Sequence, residues 1–170
     1  MRWILDACTL IYLIKTDLFS RFITLTEYSV VIDSSVYQEV VINGKAGNFP
    51  DASTAKIALN KFKIPVISID VSEKLTIFND PGEASCYILA KEEGVCLTSD
   101  IRAFKKFLKA GQKVMRLDTF YFEKLNQNQL TKAEFISILK KLESINATNP
   151  KSLLFFMEKL QKMNEVDKND

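Results

Sequence analysis

The stretch VCLTSDIRAFKKFLKAGQKVMRL, residues 95 to 117, decides the class of fold. A short apolar run, Val95 to Thr98, leads to Asp100 and then to a helical stripe of Ile101, Phe104, Phe107 and Leu108. Gly111 ends that stripe, and a second apolar run follows from Val114 to Leu117. Glycine just past the last periodic residue stops a helix. Outside this stretch, Trp3 to Leu5, Val30 to Ile32 and Ile64 to Ile69 are further short, nearly continuous apolar runs, as for strands covered on both faces. Ala84, Tyr87 and Ile88 form another helical stripe, ended by Gly94. Strands alternating with helices indicate an α/β fold with a mainly parallel sheet.

Residues 43 to 53, rich in Gly, Asn, Pro and Ser, are expected to form a mobile loop. After residue 123 only helical patterns remain. Thr131 to Glu134 reads as a capping box, followed by Phe135, Ile138, Leu139, Leu142 and Ile145 at helical spacing. Asn149-Pro150 opens a last helix with Leu153, Phe156, Met157, Leu160 and Met163 on one face. The expected organisation is a main domain over residues 1–122, a C-terminal helical extension over 123–163 and a flexible polar tail over 164–170.

The composition, 47% hydrophobic and 26% charged over 170 residues, is that of a globular chain able to bury a core without disulfides. A net charge of +2 argues for no partner by itself. Cys8, Cys86 and Cys96 are odd in number, lie in apolar runs and form no metal-binding pair, which suits the reducing cytoplasm. No run reaches membrane-spanning length. Histidine is absent altogether. That excludes Ser-His-Asp and Cys-His hydrolases, histidine-based ribonucleases and most zinc enzymes, leaving carboxylates with hard metal ions as tools for hydrolysis.

Every apolar run leads to an aspartate: Asp6, Asp33, Asp70, Asp100 and Asp118. Ligands of open α/β sheets bind outside the carboxyl ends of the strands, so parallel strands bring several of these acids to one edge. Each alone is also a good helix N-cap, and Asp80-Pro81-Gly82-Glu83 reads as a capping box. Glu39 lies past the first turn of its helix, where the plain alternative is a solvated face. Carboxylates gathered at one edge repel one another, and a cation relieves that repulsion; without histidine, the donor set favours Mg²⁺ or Mn²⁺ over Zn²⁺.

Four segments, in order, resemble the acidic motifs of PIN domains: Ile-Leu-Asp6-Ala-Cys-Thr9, Ser35-Val-Tyr-Gln-Glu39, Gly82-Glu83-Ala84 and Leu97-Thr98-Ser99-Asp100. The resemblance covers roughly residues 1 to 122. It implies a parallel sheet of strand order 3-2-1-4-5 with helices on both faces. It also implies a site in which Asp6, Glu39, Glu83 and Asp100 hold one or two divalent ions, with Thr9 and Ser99 as supporting hydroxyls. Asp118 stands where some members place an auxiliary metal-binding acid. Where some relatives carry a further acid after the fourth motif, this chain has Ala103. Asp33 and Asp70 match no catalytic position and are read as caps. The implied activity is metal-dependent hydrolysis of RNA phosphodiesters; the alternative is a PIN-like module that binds RNA or protein without cutting.

Arg102, Lys105, Lys106 and Lys109 lie opposite the apolar stripe that follows Asp100. They could track the phosphates of an RNA substrate, or simply form the solvated face of an amphipathic helix. Leu154 and Phe155 cannot share the inward face with Phe156 and mark a contact for a second copy of the chain or another protein. An antitoxin-like partner is what the family resemblance implies for such a surface.

Overall fold

Five strands form one sheet in a computed structural model of the chain, which describes residues 1–75, 77–78 and 80–166. They are β1 (Arg2–Leu5), β2 (Ser29–Asp33), β3 (Val66–Ile67), β4 (Gly94–Leu97) and β5 (Val114–Met115). All pairings are parallel and the order is β3-β2-β1-β4-β5, as expected from the sequence. The edge strands are shorter than the apolar runs that announced them. Of Ile64 to Ile69 only two residues pair, and Leu117 already belongs to the next helix.

The crossovers β1 to β2 to β3 run one way along the sheet, and those to β4 and β5 run the other. Right-handed crossovers therefore lay the two sets of helices on opposite faces. The first set is α1 (Ala7–Lys15), α2 (Phe19–Leu25), α3 (Ser34–Tyr37), a π-helical turn (Gln38–Asn43), α4 (Gly44–Ala46) and α5 (Pro50–Lys61). The second is α6 (Pro81–Glu93) and α7 (Ile101–Lys109). Side chains alternate along a strand. Ile4, Val31 and Cys96 accordingly pack with Phe78, Leu89 and Phe107 beneath the second set.

Residues 43 to 53 are not a loop. Gly44 is buried, and a Cβ there would stand 2.9 Å from Ala52 Cβ, so this glycine allows two helical segments to touch. Pro50 opens α5 at its first turn, where a missing N–H costs nothing. The inward face of α7 is also turned from the one read in the sequence. Ala103 and Phe107 are buried, whereas Ile101 and Leu108 are 45% and 53% exposed. Stacking of Phe107 on Phe78, at 5.6 Å between ring centres, and on Tyr87, at 6.3 Å, sets that rotation. Gly111 has φ +69 and closes α7: its N–H bonds Leu108 O and that of Gln112 bonds Phe107 O.

The chain divides into two compact units, Met1–Leu117 and Asp118 onward. The second unit contains nearly all of α8 (Leu117–Asn126), with α9 (Lys132–Ser144) and α10 (Pro150–Val166). Phe122, Phe135 and Phe156 form its aromatic centre, with ring centres 5.1 to 5.7 Å apart. The Thr131–Glu134 capping box forms in full. Helix α10 continues to Val166, and residues 167–170 of the expected tail lie outside the described residues. Leu154 and Phe155 are exposed, as expected, and so is Met157, contrary to its expected place on the inward face. No helix among the described residues is long and apolar enough to cross a membrane.

Candidate active site

The strand order reverses between β1 and β4, and the crevice at such a switch point is the usual ligand site of an open α/β sheet. Leu5 and Leu97 are paired neighbours at its lip. The next residues, Asp6 on one side and Thr98, Ser99 and Asp100 on the other, therefore meet there. The Asp6 N–H donates to Leu97 O at 3.3 Å. Both aspartates are caps as well. Asp6 Oδ1 accepts the Thr9 N–H at 2.8 Å. Asp100 Oδ1 accepts the N–H groups of Arg102 and Ala103 at 2.7 and 2.8 Å, leaving Oδ2 for another partner.

Cys8 donates to both Asp6 oxygens, at 3.2 and 3.1 Å. Burial pushes the Asp6 carboxyl above its ordinary value, against hydrogen bonds from Thr98, Cys8 and the Thr9 backbone. The Cys8 thiol is pushed well up, by burial first and by the Asp6 charge second. Tyr12 ties the two lips together electrostatically. Burial raises its hydroxyl first, and the negative charges of Asp6 and Asp100 raise it further.

Glu39 and Glu83 arrive from the β2 side. Glu39 is exposed on the π-helical turn, and burial of part of its side chain raises its carboxyl, helped by the charges of Asp80 and Asp6. Helix α6 begins against α3, where Ser35 Oγ and Ser85 Oγ stand 3.4 Å apart. Asp80 caps α6 by accepting the Glu83 N–H at 2.8 Å. The reciprocal half of that capping box is not made. Glu83 Oε2 instead takes Lys106 Nζ from α7 at 2.7 Å.

The two supporting hydroxyls behave unlike ordinary buried groups. Thr9 Oγ1 and Ser99 Oγ are both buried and, like Arg2 Nε and Asp33 Oδ2, make no hydrogen bond of ordinary geometry among the described residues. A buried polar atom left unpaired costs about 1–3 kcal/mol. The Thr9 hydroxyl is still near enough to Asp6 to help lower its carboxyl. The donors fit a hard divalent cation in kind, being all oxygen. In spacing, no three Asp, Glu, Cys or His side chains among the described residues are gathered closely enough to hold an ion.

The remaining acids named in the sequence make local hydrogen bonds. Asp33 caps α3 through Ser35. Asp70 accepts the Ser72 N–H at 2.9 Å, which holds its carboxyl below the ordinary value. Asp118 is buried in the second unit, where Oδ1 takes the Thr119 N–H at 2.7 Å and Oδ2 takes the Thr148 hydroxyl at 2.7 Å. Of the four basic residues on α7 all are exposed, and Lys106 is the one in the ion pair. Sequence reasoning passed over Asp80, Cys8 and Thr98 as parts of this edge. Asp80 had its signal in Asp-Pro-Gly-Glu but was absorbed by its capping role.

No curated protein matches the chain. One similar solved structure is described as a domain of a functionally unknown protein from Methanocaldococcus jannaschii DSM 2661. It has 19% identity and a TM-score of 0.49, and the match covers 68% of this chain and 90% of that one. A family model described as a PIN domain matches residues 2–116, the whole span that carries the sheet and its acid edge, and the chain belongs to the PIN-domain family.

Proposed function

We propose that this protein is a divalent-metal-dependent endoribonuclease that hydrolyses RNA phosphodiesters at the lip between β1 and β4. The observation that carries the reading is the pair of unpartnered buried hydroxyls, Thr9 Oγ1 and Ser99 Oγ, beside the Asp6 and Asp100 carboxylates. Asp6, Glu39, Glu83 and Asp100 would hold Mg²⁺ or Mn²⁺. When bound, such an ion supplies an acidified water as nucleophile and positive charge for the phosphate. No side chain takes the nucleophile's role, since Cys8 is held protonated by burial and by Asp6. Arg102, Lys105 and Lys109 offset the acid edge and attract phosphates, while Lys106 neutralises Glu83. Asp118 stays outside the proposed ligand set because both its oxygens are bonded within the second unit. The exposed Leu154 and Phe155 are the surface that a second copy or an antitoxin-like protein would cover.

One observation favours a module that binds without cutting. Glu83 Oε2 is held by Lys106 Nζ at 2.7 Å, so a cation bound to this oxygen has to compete with an ammonium. The same experiment separates the readings. Asparagine caps about as well as aspartate, so on this reading Asp100→Asn should retain the fold and lose cleavage in Mg²⁺ or Mn²⁺. Glu83→Gln should do the same. Wild-type rates in both variants, measured on single-stranded and structured RNA, would return these carboxylates to capping alone. RNA binding with no cleavage by the unaltered chain in either metal would favour the binding module.

A further inference from the structure

A cavity of about 340 Å³ opens beside the acid edge, between α1, the π-helical turn, α4 and the start of α5. That volume falls within the range of small-ligand sites, about 300–1,000 Å³. Its floor is apolar, with Ile11 and the buried Ala52, and its rim carries Phe49, Asn43, Lys15 and Glu39. We propose that this cavity receives one nucleobase of single-stranded RNA, next to the phosphate to be cut. The proposal rests on the nuclease reading and extends it to the substrate.

Phe49 is 64% exposed, an unfavourable place for a large aromatic side chain unless something covers it. Its ring lies over Gly47, where an added Cβ would come within 2.8 Å of Phe49 Cε2. An exposed ring lining an apolar cavity offers a platform on which a base stacks. Asn43 supplies the polar group. Its Oδ1 accepts from Gln38 Nε2 at 3.1 Å, leaving the amide N–H₂ to donate to a base carbonyl or ring nitrogen. Lys15 pairs with Asp51 at 3.5 Å in an exposed position, a bond weak enough to yield to a flanking phosphate. Glu39 belongs to both the acid edge and the cavity, so a base seated here stands one step from the reacting phosphate. This continuity favours a nucleic acid over a protein side chain. A paired base is held inside its helix, so a single strand enters without the cost of unpairing.

The only native tryptophan, Trp3, is buried, so Phe49→Trp adds a reporter at the cavity mouth. In an Asp100→Asn background that prevents cutting, a single-stranded RNA decamer should quench the added indole in Mg²⁺. The same strand made abasic should not. Phe49→Ala should weaken RNA binding by about five- to a hundredfold, the usual worth of one stacked base. Its melting temperature should be unchanged, because the side chain is exposed. Asn43→Ala should weaken binding to the normal strand and leave the abasic strand unaffected. Equal RNA affinity in Phe49→Ala, with no quenching of the indole, overturns the base site and leaves Phe49 as a contact for a protein. In that event cleavage by the unaltered chain still upholds the nuclease. Quenching by RNA without any cleavage by the unaltered chain has the opposite meaning: the base site stands and the nuclease reading falls.

Discussion

Asp6 accepts the Thr9 amide as any N-cap does, yet it also takes the Cys8 thiol on both oxygens and carries a raised carboxyl. Glu39 is raised too, by partial burial and by the charges of Asp80 and Asp6. A carboxyl whose folded pKa lies above its unfolded value contributes stability that is fully present below the unfolded pKa, about 4. It is lost as pH rises through the folded value. In EDTA, the melting temperature should therefore contain a component that falls as pH rises from about 4. Asp6→Asn keeps an acceptor for the cap and removes this titration. The variant should gain on the wild type as pH rises, and parallel pH profiles would refute the assignment. Asp6, Ser99 and Asp100 drew notice because each follows the end of a strand, whereas Thr9, Glu39 and Glu83 were singled out by their resemblance to the PIN motifs. The Glu83–Lys106 pair was not, since it joins the first turn of one helix to the last turn of another.

Helix α7 shows what periodicity can and cannot give. Its existence, its Asp100 cap and its Gly111 stop were all readable, because cap and stop are chemical properties of single residues. Its inward face was not, because Ala103 looks neutral in a sequence and is buried only through the Phe78, Tyr87 and Phe107 stack. The helical segments within residues 43 to 53 were missed for a similar reason: Gly44 looks like a turn residue and serves a close approach. The π-helical turn that carries Glu39 has no marker in sequence. The basic face divides in two. Lys105 and Lys109 are exposed and are the proposed phosphate contacts, so Lys105→Gln/Lys109→Gln should weaken RNA binding. It should also reduce the logarithmic salt slope by about 1.4, two single-strand phosphates at about 0.7 each. Lys106→Gln should do something the other two cannot. By freeing Glu83 it should tighten Mn²⁺ binding, read by calorimetry, while lowering RNA affinity. An unchanged salt slope in the first variant, or weaker Mn²⁺ binding in the second, would overturn this division.

At the scale of the molecule, the first unit brings Asp6 and Asp100 to one lip, with Glu39 and Glu83 nearby, although no three of these side chains are close enough to chelate as placed. The parallel sheet was legible because every apolar run was followed by a helix, while its strand order came from the resemblance to PIN domains. How closely the acids approach depends on contacts between distant elements. Like charges at one edge destabilise the folded chain, and an ion that binds only the folded form reverses this by mass action. The gain is about 2.7 kcal/mol at a hundredfold excess over the dissociation constant. Mn²⁺ should therefore raise the melting temperature of the wild type. Mg²⁺ sheds its waters reluctantly, so the response to Mg²⁺ should be smaller. Asp6→Asn/Asp100→Asn retains both caps and relieves repulsion, so it should melt in EDTA at or above the wild-type temperature and respond little to Mn²⁺. Calorimetric scans of the full chain with and without Mn²⁺ decide the matter. Equal Mn²⁺ shifts in the two proteins would place the ion elsewhere and leave the lip between β1 and β4 without a metal.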